Sequence, residues 1–153
     1  MKALVDAVYT RLQPLTDDTD PAYAGAEEVI VRGAKLPTSP AIIIEPPETP
    51  QQDETLDGYR FADTVLSVRV HTTHTDTQVE WATALTITEA VEDALRDRLK
   101  LIFQEADPSI SQDEISYDAY LAPPSKTPQQ VQHEDKTAFD YVLTFPSVRF
   151  PHN

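Results

Sequence analysis

Residues 77–103 read TQVEWATALTITEAVEDALRDRLKLIF, and the reading of this stretch decides the fold. Thr77 and Glu80 have the capping-box spacing, a hydroxyl for one orphan N–H and a carboxylate that reaches back from three residues on. Beyond them Trp81, Ala84, Leu85, Thr88, Val91, Leu95, Leu99 and Ile102 recur at steps of three and four, one face of a 3.6-residue period. The opposite face carries Glu89, Glu92, Asp93, Arg96, Asp97 and Lys100. The pattern predicts one amphipathic helix over Thr77–Phe103, about 40 Å long at its rise per residue, with Trp81 as a core anchor. A rod of that length spans one face of a small sheet. It belongs to a scaffold, and nothing on it resembles a reaction centre.

The flanking segments supply the sheet. Tyr59–Thr72 alternates, with Leu66, Val68 and Val70 on one side and Ser67, Arg69 and His71 on the other. Residues 2–15 predict a first helix with Leu4, Val8, Leu12 and Leu15 on one face and Pro14 at its end. Glu28–Arg32 reads as a short strand closed by Gly33. Ala41–Glu45, with three consecutive isoleucines after Pro40, reads as a strand buried on both faces. Gln104–Gln112 turns the chain, and Glu114–Leu121 alternates through Ile115, Tyr117, Ala119 and Leu121. Phe139, Tyr141, Leu143 and Phe145 then mark a last strand that continues past Pro146 towards Phe150; a proline there calls for an edge or a bulge. Pro46–Gly58 and Ala122–Lys136 are rich in proline, glutamine and acids and are expected to be exposed loops. The sum is an α+β fold, a single domain over residues 1–153, with two helices packed on one face of a mainly antiparallel sheet.

Composition excludes several function classes. The 153 residues hold no cysteine, which removes disulfides and thiolate metal sites, and only 3 glycines against 13 prolines, which disfavours phosphate-cradling loops. The N-terminal residues lack the apolar core of a signal peptide and no run reaches membrane-spanning length, so a soluble protein is expected. Twenty-six acidic residues face twelve basic ones, a formal charge of −14, spread along the whole chain. Self-repulsion at that density is relieved by salt. Two readings fit: adaptation to a salty cytoplasm, with which the scarcity of lysine agrees, or a surface that must not adhere to nucleic acid. Either disfavours DNA recognition through phosphate neutralisation.

The candidate chemical motifs are weak. His71-x-x-His74 has a metal-pair spacing, but on a strand end the rings diverge and only Asp76 stands near as a third ligand. Asp107-x-Ser109-x-Ser111-x-Asp113 has the start of a calcium loop without the glycine at its sixth position, where Gln112 stands, and without a closing glutamate in register. Adjacent carboxylates such as Glu27-Glu28 and Glu92-Asp93 are too numerous for any one to mark an acid/base pair. No nucleophile elbow, Walker loop or dinucleotide fingerprint is present. No catalytic, cofactor or metal residue is assigned, and no enzymatic activity is expected. Arg69, beside Ser67 and His71 on the polar side of the long strand, is the basic position of interest. It is either simply solvated or bridged to a neighbouring subunit.

The order of parts is informative: an N-terminal helix (Leu4–Leu15), two short strands with Pro40-Ala41-Ile42-Ile43-Ile44 as the second, and a variable loop. There follow the alternating Thr64-Val65-Leu66-Ser67-Val68-Arg69-Val70-His71, a helix carrying Ala84-Leu85-Thr86-Ile87-Thr88-Glu89-Ala90-Val91-Glu92-Asp93-Ala94-Leu95, and closing strands. This arrangement resembles the tail-terminator (tail-completion) proteins of long-tailed phages, and the acidity would fit a virus of a halophilic archaeon. The resemblance implies a structural virion protein of the tail or neck, assembled in the host cytoplasm. It would form a hexameric ring that caps the tail tube, ends its polymerisation and joins the head-side connector or stopper. DNA would pass through the ring without specific binding. It implies no cofactor and no catalytic residue. The interface positions it leads us to expect are Arg69 and His71 on the strand, Pro46, Pro47, Gln51 and Asp53 on the first loop, and Pro124, Lys126 and Gln129 on the second. The alternatives are another neck or minor tail component of similar fold, or a halophilic cytoplasmic binding module that dimerises through its sheet edge.

Overall fold

The computed structural model describes residues 2–33, 38–47, 51–54, 60–74, 77–96, 98–104, 115–133 and 136–151. Within these, the backbone alone is described at 51–54, 60–62, 74, 77–80, 102–104, 115–117, 131–133, 136–137 and 150–151. The elements are helix α1 (Lys2–Leu12), strands β1 (Glu28–Val31), β2 (Ala41–Glu45), β3 (Gln51–Glu54) and β4 (Arg60–His74), and helix α2 (Thr77–Ala94). Strands β5 (Arg98–Gln104), β6 (Ile115–Leu121), β7 (Ser125–His133) and β8 (Lys136–Pro151) follow. The expected α+β class holds, with one eight-stranded sheet in the order β1-β2-β4-β8-β6-β5. Its pairs are antiparallel except β1–β2. The long strands β4 and β8 form its spine. Each is flanked by two short strands end to end, β2 and β3 beside β4, β7 and β6 beside β8.

Helix α1 buries Leu4, Val8 and Leu12, one residue per turn, and a 3-10 turn at Gln13–Thr16 adds Leu15. Pro14 ends the α-helix as expected, because it has no N–H to offer the preceding turn. Helix α2, packed on β4 and β8, buries Ala84, Ile87, Thr88 and Val91, and Leu95 is buried just beyond its end. Both helices and the inner sheet face (Ile42, Ile44, Leu66, Val68, Val70, Leu143, Phe145) close one hydrophobic core. Each large apolar side chain fully buried there contributes about 1.5–3 kcal/mol before the entropy cost of ordering it. Buried hydroxyls are satisfied locally: Thr72 donates to the Phe139 carbonyl at 2.6 Å and Thr88 to that of Ala84 at 2.7 Å.

The single helix expected through Phe103 stops at Ala94. The Leu95 N–H still reaches Val91 at 3.0 Å, and the Arg96 N–H then closes a tighter turn on Asp93 at 3.4 Å. The chain re-enters as β5, burying Leu99 and Leu101 and exposing Arg98 and Lys100, a period of two. Leu95 and Leu99 satisfy both periods, which is why the helical reading overran. Arg11 of α1 locks this corner, donating to the carbonyls of Ala94 at 3.2 Å and Arg98 at 3.4 Å. A cation on the last carbonyls of a helix also answers its dipole.

Three further expectations need correction. Trp81 is exposed, with its indole N–H on the Tyr141 hydroxyl at 3.0 Å, and does not anchor the core. The segment Pro46–Gly58 contains β3, paired antiparallel with Arg60–Asp63. The segment Ala122–Lys136 contains β7, paired antiparallel with β8 from Lys136 to Thr144. Both are polar ribbons held by backbone ladders, which need no apolar alternation. Pro146 does mark a bulge: Leu66 pairs with Phe145 but Thr64 with Val148, so β8 carries one extra residue there. The capping side chains of Thr77 and Glu80, the calcium-like stretch 107–113 and Asp76 lie outside the described residues or side chains.

Candidate functional site

The helices cover one face of the sheet, and β-strand alternation turns a second set of side chains to the other. Register places them: Ile43 pairs with Arg69 and Ala41 with His71, Arg69 pairs in turn with Val142, and His71 with Asp140. Asp140 pairs with Gln129 of β7. Side chains directly opposite on neighbouring strands share a face. Ala41 and Ile43 are buried beneath the polar groups, although no helix lies over them.

Here Arg69 is the hub. Its guanidinium donates to Glu45 Oε1 at 3.2 Å, to Asp140 Oδ2 at 2.9 Å and to Gln129 Oε1 at 2.8 Å. Glu45 is also held by both guanidinium nitrogens Nε and Nη2 of Arg32, and Asp140 Oδ1 lies 2.8 Å from His71 Nδ1. The result is a continuous chain of ion pairs and hydrogen bonds, Arg32–Glu45–Arg69–Asp140–His71, across β2, β4 and β8. The Arg69 and Asp140 side chains keep only 23 % and 14 % of their exposure. Burial alone would push the Asp140 carboxyl up, but hydrogen bonds from His71 and Arg69, and their charge, bring it below the usual carboxylate range. Glu45 behaves alike: burial opposes its ionisation, and Arg32 and Arg69 overcome it. Glu45 in turn raises the pKa of Arg32.

Of the residues singled out from the sequence, the structure brings Arg69, His71 and Gln129 together. Arg69 is neither simply solvated nor waiting for a partner, since its own chain supplies three acceptors. Lys126 sits on the opposite face of β7 and binds Glu92 of α2 at 2.7 Å, which raises its pKa. Pro46 and Pro47 follow β2, directly after Glu45, and Pro124 lies in the link between β6 and β7; none of the three contributes a hydrogen bond to the network. Gln51 and Asp53 are placed on β3 by register with Asp63 and Phe61, and their side chains lie outside the description. Sequence reading missed Glu45, Asp140 and Arg32. Asp140 had a signal, since it falls between Phe139 and Tyr141 and so faces away from their apolar row.

No group of three or more metal-ligating side chains occurs among the described residues. An open polar depression of about 500 Å³ lies between Thr10, Gln13 and the turn Asp17–Asp20. Its acids are turn formers: Asp17 accepts from the N–H and hydroxyl of Thr19 at 2.9 and 2.7 Å, which lowers its pKa, and Asp20 accepts from the Ala22 N–H at 2.8 Å. Among the described residues the most developed polar cluster is the ordered, ion-paired sheet face around Arg69.

No protein-family model matches the chain, and no curated protein matches it either. Its fold has a solved counterpart in a chain of the virion of the native gene transfer agent (GTA) particle, with a TM-score of 0.59. The fold occurs in a virion. The likeness covers 99 % of this chain and 96 % of that one at 19 % identity, and at that identity it speaks for the fold.

Proposed function

We propose that this chain is a structural virion protein, a tail terminator that closes into a ring on the end of the tail tube, stops its growth and joins the tail to the head-side connector. One observation carries the reading: the fold is shared from end to end with a chain of a virion particle. The order of parts in the sequence, which resembles tail terminators, leads to the same place. Function on this reading is geometric, with no catalytic step and no cofactor. Copies meet by heterologous contacts whose rotation closes, six to a ring, because an open rotation would make a filament. The β3–β4 and β7–β8 ribbons, with the expected contact positions Pro46, Pro47, Gln51, Asp53, Pro124, Lys126 and Gln129, meet the tube, the connector or neighbouring copies. DNA passes through the acidic ring without adhering. A charge of −14 further fits a virus whose host keeps a salty cytoplasm.

The test is to mix the purified chain with tail-tube protein of the same virus in molar salt and measure native mass and tube length. A hexamer-sized particle and shortened, capped tubes are the expected results. A chain that binds the connector and ignores the tube would be another neck component. A stable dimer indifferent to both would make it a cytoplasmic module.

A further inference from the structure

The uncovered sheet face extends beyond the Arg69 network. Across β5, β6 and β8 the register sets Arg98, Tyr120 and Arg149 in one row, and Asp63 of β4 continues it. Their neighbours Leu99, Ala119 and Val148 are buried in the core, so the row faces away from the helices. Tyr120 is 58 % exposed, the highest value among the large apolar side chains described, and Val65 is exposed on the same face. Arg98 bonds Asp118 at 3.3 Å, and the Ser147 hydroxyl donates to Asp63 at 3.0 Å. Tyrosine and arginine side by side are the residue types that dominate protein–protein contacts.

The described charges on this face are balanced. Around the row, Arg98, Lys100 and Arg149 stand against Asp63 and Asp118. In the network, Arg32 and Arg69 stand against Glu45 and Asp140, with Glu28 at the β1 end accepting from the Thr38 N–H. Five of the twelve basic residues and five of the twenty-six acidic ones are thus accounted for, and the acidic excess of fourteen lies outside this set. The helix side, by contrast, carries three acids on α2, Glu89, Glu92 and Asp93, against two cations, Lys126 on Glu92 at 2.7 Å and Arg96 on Asp93 at 2.9 Å. This leaves it an acid surplus, with Glu89 and Asp93 exposed one turn apart. Copies of so acidic a chain repel one another, and close approach is least opposed where one partner's surface is balanced or slightly positive.

We infer that the open sheet face, anchored on Arg98, Tyr120 and Arg149, is the surface on which one copy of this chain receives the acidic α2 side of the next. The assignment rests on the self-assembly proposed above and names its two surfaces. They lie on opposite sides of the molecule, so the contact is heterologous and can propagate from copy to copy until it closes.

Two double variants test it, Arg98→Ala/Tyr120→Ala on the sheet face and Glu89→Lys/Asp93→Lys on the helix side. All four positions are exposed, and far-UV circular dichroism with thermal melting checks that each variant folds. Native mass is measured by light scattering in molar salt, with tail-tube protein added if the parent chain needs it to assemble. Each variant alone is expected to fall to single-chain mass. Their equimolar mixture is expected to recover a two-chain particle and no larger one, because each retains the surface that the other has lost. A ring that persists in either variant overturns the surface assignment while leaving the ring itself standing. Folded single variants whose mixture stays at single-chain mass also overturn it. A parent chain that stays monomeric with and without tube protein overturns the ring reading and this assignment together.

Discussion

Replacing Asp140 by alanine tests whether the charge chain on the sheet face holds the spine of the sheet together. The carboxylate accepts from Arg69 at 2.9 Å and pairs with His71 at 2.8 Å, at 14 % side-chain exposure. Hydrogen bonds to charged groups contribute about 1.5–3 kcal/mol each when well shielded. Here both partners keep some water, and Arg69 retains Glu45 and Gln129, so the combined loss should be about 2 kcal/mol. In a chain of this size that lowers the melting temperature by roughly 4–8 °C. Arg69→Ala should cost a similar amount, and the double variant less than the sum, with a coupling of about 1 kcal/mol. The assay is urea unfolding of the four proteins at one fixed protein concentration, since assembly would otherwise shift the midpoints. The carboxyl of Asp140 is depressed in the folded state. Its contribution is therefore complete above the ordinary carboxylate pKa of about 4 and is lost as the pH falls through the folded value. The gap between the parent chain and Asp140→Ala should accordingly narrow as the pH falls below the usual carboxylate range. A coupling within about 0.3 kcal/mol of zero, or a gap unchanged in acid, would refute the argument.

Arg11→Ala removes both hydrogen bonds that fasten the α2–β5 corner and should destabilise the fold by about 1 kcal/mol in urea, less at high salt. Leu143→Ala, at a fully buried position of the central strand, should cost about 2–5 kcal/mol by the same measurement. Deleting Ser147 removes the extra residue of β8 and restores the strand period of two, so Val148 keeps its place opposite Thr64 in the core. The variant should still unfold cooperatively in urea, at a cost of about 1.5–3 kcal/mol for the lost Ser147–Asp63 hydrogen bond. For the parent chain, thermal stability should rise with salt from 0.1 M to molar concentrations, and a flat response would remove charge repulsion as a determinant of its stability.

How far the sequence could be read depended on how each element is stabilised. Helix α1, β2, β4, β6 and β8 bury alternating or periodic apolar side chains, and their patterns located them to within a few residues. Strand β5 was hidden inside a helical pattern: only Arg98 and Lys100, alternating with Leu99 and Leu101, marked the change of period. Strand β7 runs SKTPQQVQH and gives no apolar signal, because its ladder to β8 is made by the backbone. The sheet face shows the same divide. Arg69 and His71 stood out on their own strand, whereas Asp140 and Glu45 became partners only through a strand order that pattern reading does not supply.

That strand order also governs how the chain must be made. Strand β8 lies in the middle of the sheet, hydrogen-bonded to β4 on one side and to β6 and β7 on the other, yet it is translated after all of them. Until Lys136–Pro151 has left the ribosome, β4 and the β5–β6 pair present raw edges with nothing to join them. The nascent chain cannot settle half of its sheet early, and closing pairings such as Phe61 with Pro151 across eighty-nine intervening positions makes folding slow. Production of this protein should therefore be most sensitive to premature termination and to chaperone supply during the synthesis of that final ribbon, when its unpaired strands are exposed to aggregation.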